Sequence, residues 1–115
     1  MKKIVLFAFN GDPMCFIHVL LNALDMKEKG YDIKLVIEGS AVKLVPDLAA
    51  RKSPMSDLYY KAKDRGIIDA VCKACSSKMK VLDAVEAAGL PIVDDMSGHP
   101  SMARYMDLGY EVLIF

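Results

Sequence analysis

Cys72 and Cys75 carry the clearest chemical signal in this chain. They fall in Val71-Cys72-Lys73-Ala74-Cys75, where an apolar run should end as a strand and a helix should begin. In open α/β folds, the carboxyl ends of the strands are where ligands and reactive groups collect. A thiolate at a helix start meets free backbone N–H groups and the positive end of the helix dipole, and both stabilise it. Lys73 adds positive charge nearby. A stabilised thiolate is the nucleophile that sulfur transfer and thiol exchange require. The C-x-x-C spacing is also that of a redox pair and of half a structural zinc site. The plainer alternative is that both cysteines are small apolar fillers of the junction.

Other residues of chemical interest lie at equivalent places. Cys15 holds the third position of a first helix if Asp12 is its cap, and it either faces the site or packs in the core. Asn10-Gly11-Asp12-Pro13 and Ser97-Gly98-His99-Pro100 each pair a turn glycine with a proline close to a helix start. Such turns can present N–H groups to an anion, so Asn10, Gly11, Ser97 and Gly98 are ligand-contact candidates. Glu38 ends the second strand and joins them. His99 can act as an acid or base near neutral pH. Asp94 and Asp95 can hold it, contact a ligand, or solvate the loop. Neither glycine turn matches a Walker or dinucleotide-binding pattern. No second C-x-x-C completes a zinc site, leaving only Cys15, His18 and His99 as further ligands. His18 reads as a partly buried histidine bonded to a carbonyl. No metal and no cofactor are expected.

The elements that must position these residues follow from the apolar pattern. Ile4–Phe9 is a continuous apolar run, the mark of a central parallel strand. Asp12 caps a helix with Pro13 at its first position, and Gly30 stops it. Ile33–Ile37 is the second strand. Ser40 is read as the cap of a helix over Val42–Ala50, broken by Arg51-Lys52-Ser53-Pro54. Another helix follows, with Met55, Leu58 and Tyr59 inward. Ile67–Val71 is the third strand, with Asp69 an awkward member. Ser76–Ala88 is a helix, Leu90–Val93 a short strand with Pro91 near its start, Ser101–Leu108 a helix, and Tyr110–Phe115 the last strand. Five strands with intervening helices make a three-layer α/β/α sandwich of flavodoxin- or Rossmann-like type. The forward loops then meet at one sheet edge. One domain over residues 1–115 is expected.

Composition narrows the function. Fifteen Lys plus Arg balance fifteen Asp plus Glu, so the formal net charge is +0. No basic field is available to draw nucleic acid. Low net charge also lowers the barrier to self-association, and Tyr59-Tyr60 and Tyr105 are candidate subunit-interface residues. No secretory signal and no membrane span are read from the chain, so a cytoplasmic protein with reduced thiols is expected. The eight methionines are scattered, and Met14, Met96 and Met102 fall near the site mouth.

The order of these features resembles the DsrE/DsrF-like family, in particular its small stand-alone members. The resemblance rests on the first strand with its Asn10-Gly11 turn, the Glu38-Gly39 strand end and Val71-Cys72-Lys73-Ala74-Cys75. The Gly89 turn and the closing Gly109-Tyr110-Glu111-Val112-Leu113-Ile114-Phe115 complete it. It implies a five-stranded parallel sheet and small homo- or hetero-oligomers. It also implies sulfane sulfur held as a persulfide after the third strand and passed to a protein partner. That cysteine falls on Cys72, with Cys75 the competing match. The expected function is sulfur relay, with Cys72, Cys75 and His99 as the reacting residues. The alternatives are a non-catalytic small-ligand or partner-binding module and a dithiol redox protein.

Overall fold

The computed structural model describes residues 1–115. Its sheet has five parallel strands in the order β4-β3-β2-β1-β5: β1 (Lys3–Ala8), β2 (Asp32–Ile37), β3 (Ile68–Cys72), β4 (Ile92–Val93) and β5 (Glu111–Ile114). The central strand β1 is buried from Ile4 to Ala8, as its unbroken apolar run requires. The helices are α1 (Pro13–Glu28), α2 (Val45–Ala49), α3 (Ser56–Asp64), α4 (Lys73–Lys78), α5 (Leu82–Ala87) and α6 (Met102–Asp107). The result is a three-layer α/β/α sandwich.

The layers are unequal. From β1 to β4 the sheet grows in one direction, and right-handed crossovers of that kind put their helices on one face. Phe16, Val19 and Leu20 of α1, Val45 and Leu48 of α2, Tyr59 of α3 and Val85 of α5 share one core with Leu6, Leu35, Ile37 and Val71. The connection from β4 to β5 runs back across the sheet. It lays α6 on the other face, over Val5, Phe7, Val36 and Ala70, with Tyr105 and Tyr110. The chain therefore leaves β3 toward one face and β4 toward the other. Between these adjacent strands lies a topological switch point, where open α/β sheets bind their ligands.

Several local expectations hold. Asp12 caps α1 by accepting from the Met14 N–H, and Pro13 is the first helical residue. Ser101 caps α6 through the Arg104 N–H. Others are corrected. The expected helix over Ser76–Ala88 is two helices, α4 and α5, separated at Lys80, whose φ is 61°. The helix expected over Val42–Ala50 opens instead as a 3₁₀ segment, Gly39–Leu44, and Ser40 does not cap it. Ser40 Oγ accepts from the Gly11 N–H at 2.9 Å and donates to the Phe9 carbonyl at 3.2 Å. A Cβ on Gly11 would meet the Ser40 carbonyl oxygen at 2.6 Å, so only glycine lets these two loops close on one another. Tyr59 and Tyr105 are 0% and 1% exposed, which makes them core residues of this chain rather than interface residues. No helix is long and apolar enough to cross a membrane.

Candidate functional site

Four side chains from three stretches of sequence converge beside the switch point. Glu38 directly follows β2, Cys72 ends β3, Cys75 lies in the first turn of α4, and His99 sits in the loop after β4. One donor atom from each lies within 4.8 Å of all the others. His99 Nδ1 is their common neighbour. It is 3.0 Å from Cys72 Sγ, 3.7 Å from Cys75 Sγ and 3.7 Å from Glu38 Oε1.

Local structure explains the convergence. Cys72 is at once the last strand residue and the N-cap of α4, and its Sγ accepts from the Cys75 N–H at 3.4 Å. The cysteine pair thus occupies the cap and the third position of one helix, a short fixed span. The His99 loop is closed on itself by a two-way backbone pairing of Met96 with His99. It is pinned to α4 through the Gly98 carbonyl, which accepts from the Ala74 N–H at 2.9 Å and from the Cys72 thiol at 3.7 Å. Gly98 has φ 93°, and a Cβ there would meet the Ala74 Cβ at 3.1 Å. A side chain at this position would both strain the backbone and push His99 away from the sulfurs.

The electrostatics are those of a buried, weakly compensated cluster. Cys72 is 0% exposed. Burial is the main force that pushes its thiol up, to about 12, and the Cys75 thiol and the Glu38 carboxylate add to it; only the Cys75 N–H opposes. This corrects the expectation of a thiolate stabilised at the helix start, since loss of water outweighs the helix amides at Cys72. Burial also raises the Glu38 carboxyl, against the opposing pull of His99 and a Cys72 hydrogen bond. Lys73 does not supply the expected charge: its Nζ is 3.6 Å from Asp94 Oδ2. Cys75 and His99 are half-buried, and they form the open side of the cluster.

The other candidates divide. Asp95 accepts from the Ser101 N–H at 3.0 Å and faces Arg104 Nη1 at 3.5 Å, a capping role for the loop. Ser97, at φ 49°, shapes the turn before Gly98. Asn10 and Gly11, in the loop before α1, and Cys15, in the first turn of α1, lie outside the cluster. There Asn10 Nδ2 donates to Cys15 Sγ at 3.6 Å and Asn10 Oδ1 accepts from the Asp12 N–H. Cys15 is exposed, so it does not pack in the core. His18 is exposed as well, not partly buried. Met14 lines a separate groove with Ile17, Leu44 and Leu48; Met96 is exposed, and Met102 packs on the minor core. The residue that sequence reasoning undervalued is Glu38. It was a ligand-contact candidate, with nothing in Ile37-Glu38-Gly39 to show that its carboxyl turns inward.

Comparison with known proteins places the chain among uncharacterised relatives. It is 35% identical over 96 residues to the uncharacterized protein MJ0733 of Methanocaldococcus jannaschii, covering 84% of this chain and 76% of that one. An uncharacterized protein of Archaeoglobus fulgidus is 41% identical over 58 residues, which is 50% of this chain and 93% of the relative. A conserved protein of unknown function from Bacteroides thetaiotaomicron, BT1422, shares the fold with a TM-score of 0.70. Its identity is 17%, and the match covers 98% of this chain and 95% of that one. No protein-family model matches the chain. The fold and the cysteine pair agree broadly with a DsrE-like architecture, and by sequence the chain belongs to the same family as the uncharacterized protein MJ0733.

Proposed function

We propose that this protein handles sulfur through the Cys72–Cys75 dithiol, cleaving S–S bonds of disulfides or persulfides. The observation that carries this reading is the placement of both sulfurs around one imidazole nitrogen, at 3.0 and 3.7 Å. Cys75 is the attacking residue because it is half-buried, whereas Cys72 is sealed from solvent. His99 Nδ1 takes the Cys75 proton, and the thiolate attacks one sulfur of an incoming R–S–S–R′. The S–S bond breaks, R′S⁻ takes that proton back from His99 and departs as R′SH, and a mixed disulfide forms on Cys75, leaving His99 Nδ1 free. Cys72 then loses its proton to the same nitrogen and attacks Cys75 Sγ. An intramolecular disulfide forms and RSH departs. The dithiol gives up two electrons and two protons, and the substrate becomes two thiols. With a persulfide attacked at its outer sulfur, RSH leaves first and Cys75 carries the sulfane sulfur until Cys72 releases it as sulfide.

The DsrE/DsrF-like resemblance supports this reading through the parallel sheet and the thiol after the third strand. The resemblance points to Cys72 as the relay cysteine, whereas the burial of Cys72 and the half-buried position of Cys75 favour its competing match, Cys75. Intact-protein mass spectrometry with thiol alkylation tests it, after exposure to a small disulfide and separately to a sulfane-sulfur donor. Wild type should end as a Cys72–Cys75 disulfide. Cys72→Ser should trap the adduct on Cys75, and Cys75→Ser should take up nothing at this site. Stable loading of Cys72 in the Cys75→Ser variant would restore a single-cysteine carrier and overturn the dithiol reading.

A further inference from the structure

We propose that Glu38, Cys72, Cys75 and His99 form a mononuclear metal site for a zinc-class divalent cation. Tetrahedral zinc with bonds of about 2.0–2.3 Å holds its ligand atoms about 3.3–3.8 Å apart. The three distances measured from His99 Nδ1 are 3.0, 3.7 and 3.7 Å, and all four donor atoms fall within 4.8 Å of one another. Small side-chain rotations bring them onto one ion. The donors come from three separate stretches of chain, yet all are fixed by backbone that the sheet and the Gly98 clamp already hold.

The second support is Glu38 itself. It is 5% exposed, and the only ion-pair partner of its carboxyl is His99, which is cationic only when protonated. The basic residue next to the cluster, Lys73, turns to Asp94. A buried carboxyl beside two thiols, with no lysine or arginine, is a cation-binding arrangement that lacks a protein cation. The donor set chooses the metal. Two sulfurs and an imidazole favour zinc and its thiophilic neighbours, whereas magnesium and calcium take oxygen ligands. On binding, two metal–sulfur bonds form and both thiol protons pass to solvent; a carboxyl proton, where present, leaves with them. The Cys75 N–H, already directed at Cys72 Sγ, then supports a metal-bound thiolate. The half-buried Cys75 and His99 leave the approach open.

This inference does not depend on the redox step proposed above. The same sulfurs cannot be ligands and a disulfide at once, so metal keeps the pair reduced and oxidation expels the metal. The test titrates Co²⁺ into the full reduced chain, follows thiolate-to-cobalt absorption, and then displaces Co²⁺ with Zn²⁺. One equivalent per chain is expected, with tetrahedral cobalt bands. Cys75→Ser and His99→Asn should each weaken binding by more than the roughly 10- to 100-fold that an outer-shell change costs. Glu38→Gln, which preserves shape, should weaken it at least about 10-fold, and Cys15→Ser should leave it unchanged. The absence of thiolate–cobalt bands, or affinity unmoved by both Glu38→Gln and His99→Asn, overturns the site. The disulfide assay in metal-free buffer is scored separately. Disulfide formation without cobalt binding removes the metal site alone, and cobalt binding without a disulfide removes the dithiol reading alone.

Discussion

Two carboxylates on neighbouring strands of this sheet meet opposite fates. Asp69, inside β3, accepts from the Tyr105 hydroxyl at 2.6 Å and faces Lys34 Nζ at 3.4 Å. Arg104 in turn donates to the Tyr105 oxygen at 3.0 Å. Glu38, at the end of β2, is more deeply buried and has a histidine and two thiols instead. Strong hard donors complete the first centre, and such a network ties α6 to the sheet. The second is left with soft, oxidisable, metal-binding groups and no permanent cation. The difference separates a carboxylate that holds the fold from one that the fold holds ready. Substitutions at the two centres should therefore act on different observables.

The largest effect belongs to the structural centre. Tyr105 is fully buried, and it is the main aromatic contact between α6 and Phe7 on the thin side of the sheet. Tyr105→Ala should destabilise the protein by about 3–5 kcal/mol, as for other large buried rings. Tyr105→Phe keeps the ring and should cost about 1–3 kcal/mol, because Asp69 loses its best donor. Urea unfolding followed by circular dichroism measures both. A Phe variant as stable as wild type would dissolve the contrast between the centres.

Alkaline pH gives the next effect. Burial raises Tyr59 and Tyr110 to about 12 and Tyr105 further; for Tyr110 and Tyr105 the hydrogen bonds to Asp32 and Asp69 add to it. The unfolded chain, with tyrosines near their ordinary value of 10, releases these protons first. Folding is therefore unaffected below about pH 10 and weakens as pH rises from there toward the folded values. Each tyrosine contributes at most about 1.4 kcal/mol per pH unit in that window. Tyr105→Phe should flatten the decline between about pH 10 and pH 11. The same slope in both proteins would mean that Tyr105 does not participate.

A smaller and more local effect is expected where the site is clamped. Gly98→Ala forces a side chain into the left-handed region and against Ala74, at a cost of about 1–2 kcal/mol. Its sharper signature is chemical. With His99 displaced, alkylation of Cys75 should change in rate and lose its dependence on the imidazole, measured against His99→Asn. Unchanged alkylation in Gly98→Ala would show that the clamp does not position His99.

How much of this was visible in the chain follows from how local each feature is. The first strand and helix could be read because an unbroken apolar run and an Asp-Pro cap act within a few residues. The cysteine pair and His99 could be placed near one sheet edge because forward loops share that edge. Tyr105 as the partner of Asp69 could not, since the two lie 36 residues apart and meet only when α6 crosses to the opposite face. Nor could the break between α4 and α5, because Lys80 is not a residue that marks a left-handed turn. Glu38 was the costliest gap. A carboxylate at a strand end is ordinarily solvated, and its burial follows from the β2–β3–β4 order and the return of the His99 loop.

The smallest stability effect is the most informative about the second centre. Glu38→Gln removes a buried charge that has no permanent cation and keeps the side-chain shape. A buried charge is unfavourable unless it is paired. The metal-free, reduced variant should therefore be as stable as wild type near neutral pH, or more stable by up to about 1 kcal/mol. Asp69→Asn should instead destabilise by about 1–3 kcal/mol, since it breaks a satisfied network. Opposite signs for these two isosteric changes, measured by urea unfolding in one buffer with chelator, would establish that the centres differ in purpose. Equal losses would mean that Glu38 is as structural as Asp69, and that the sulfur cluster owes its geometry to the carboxylate rather than offering it to a ligand.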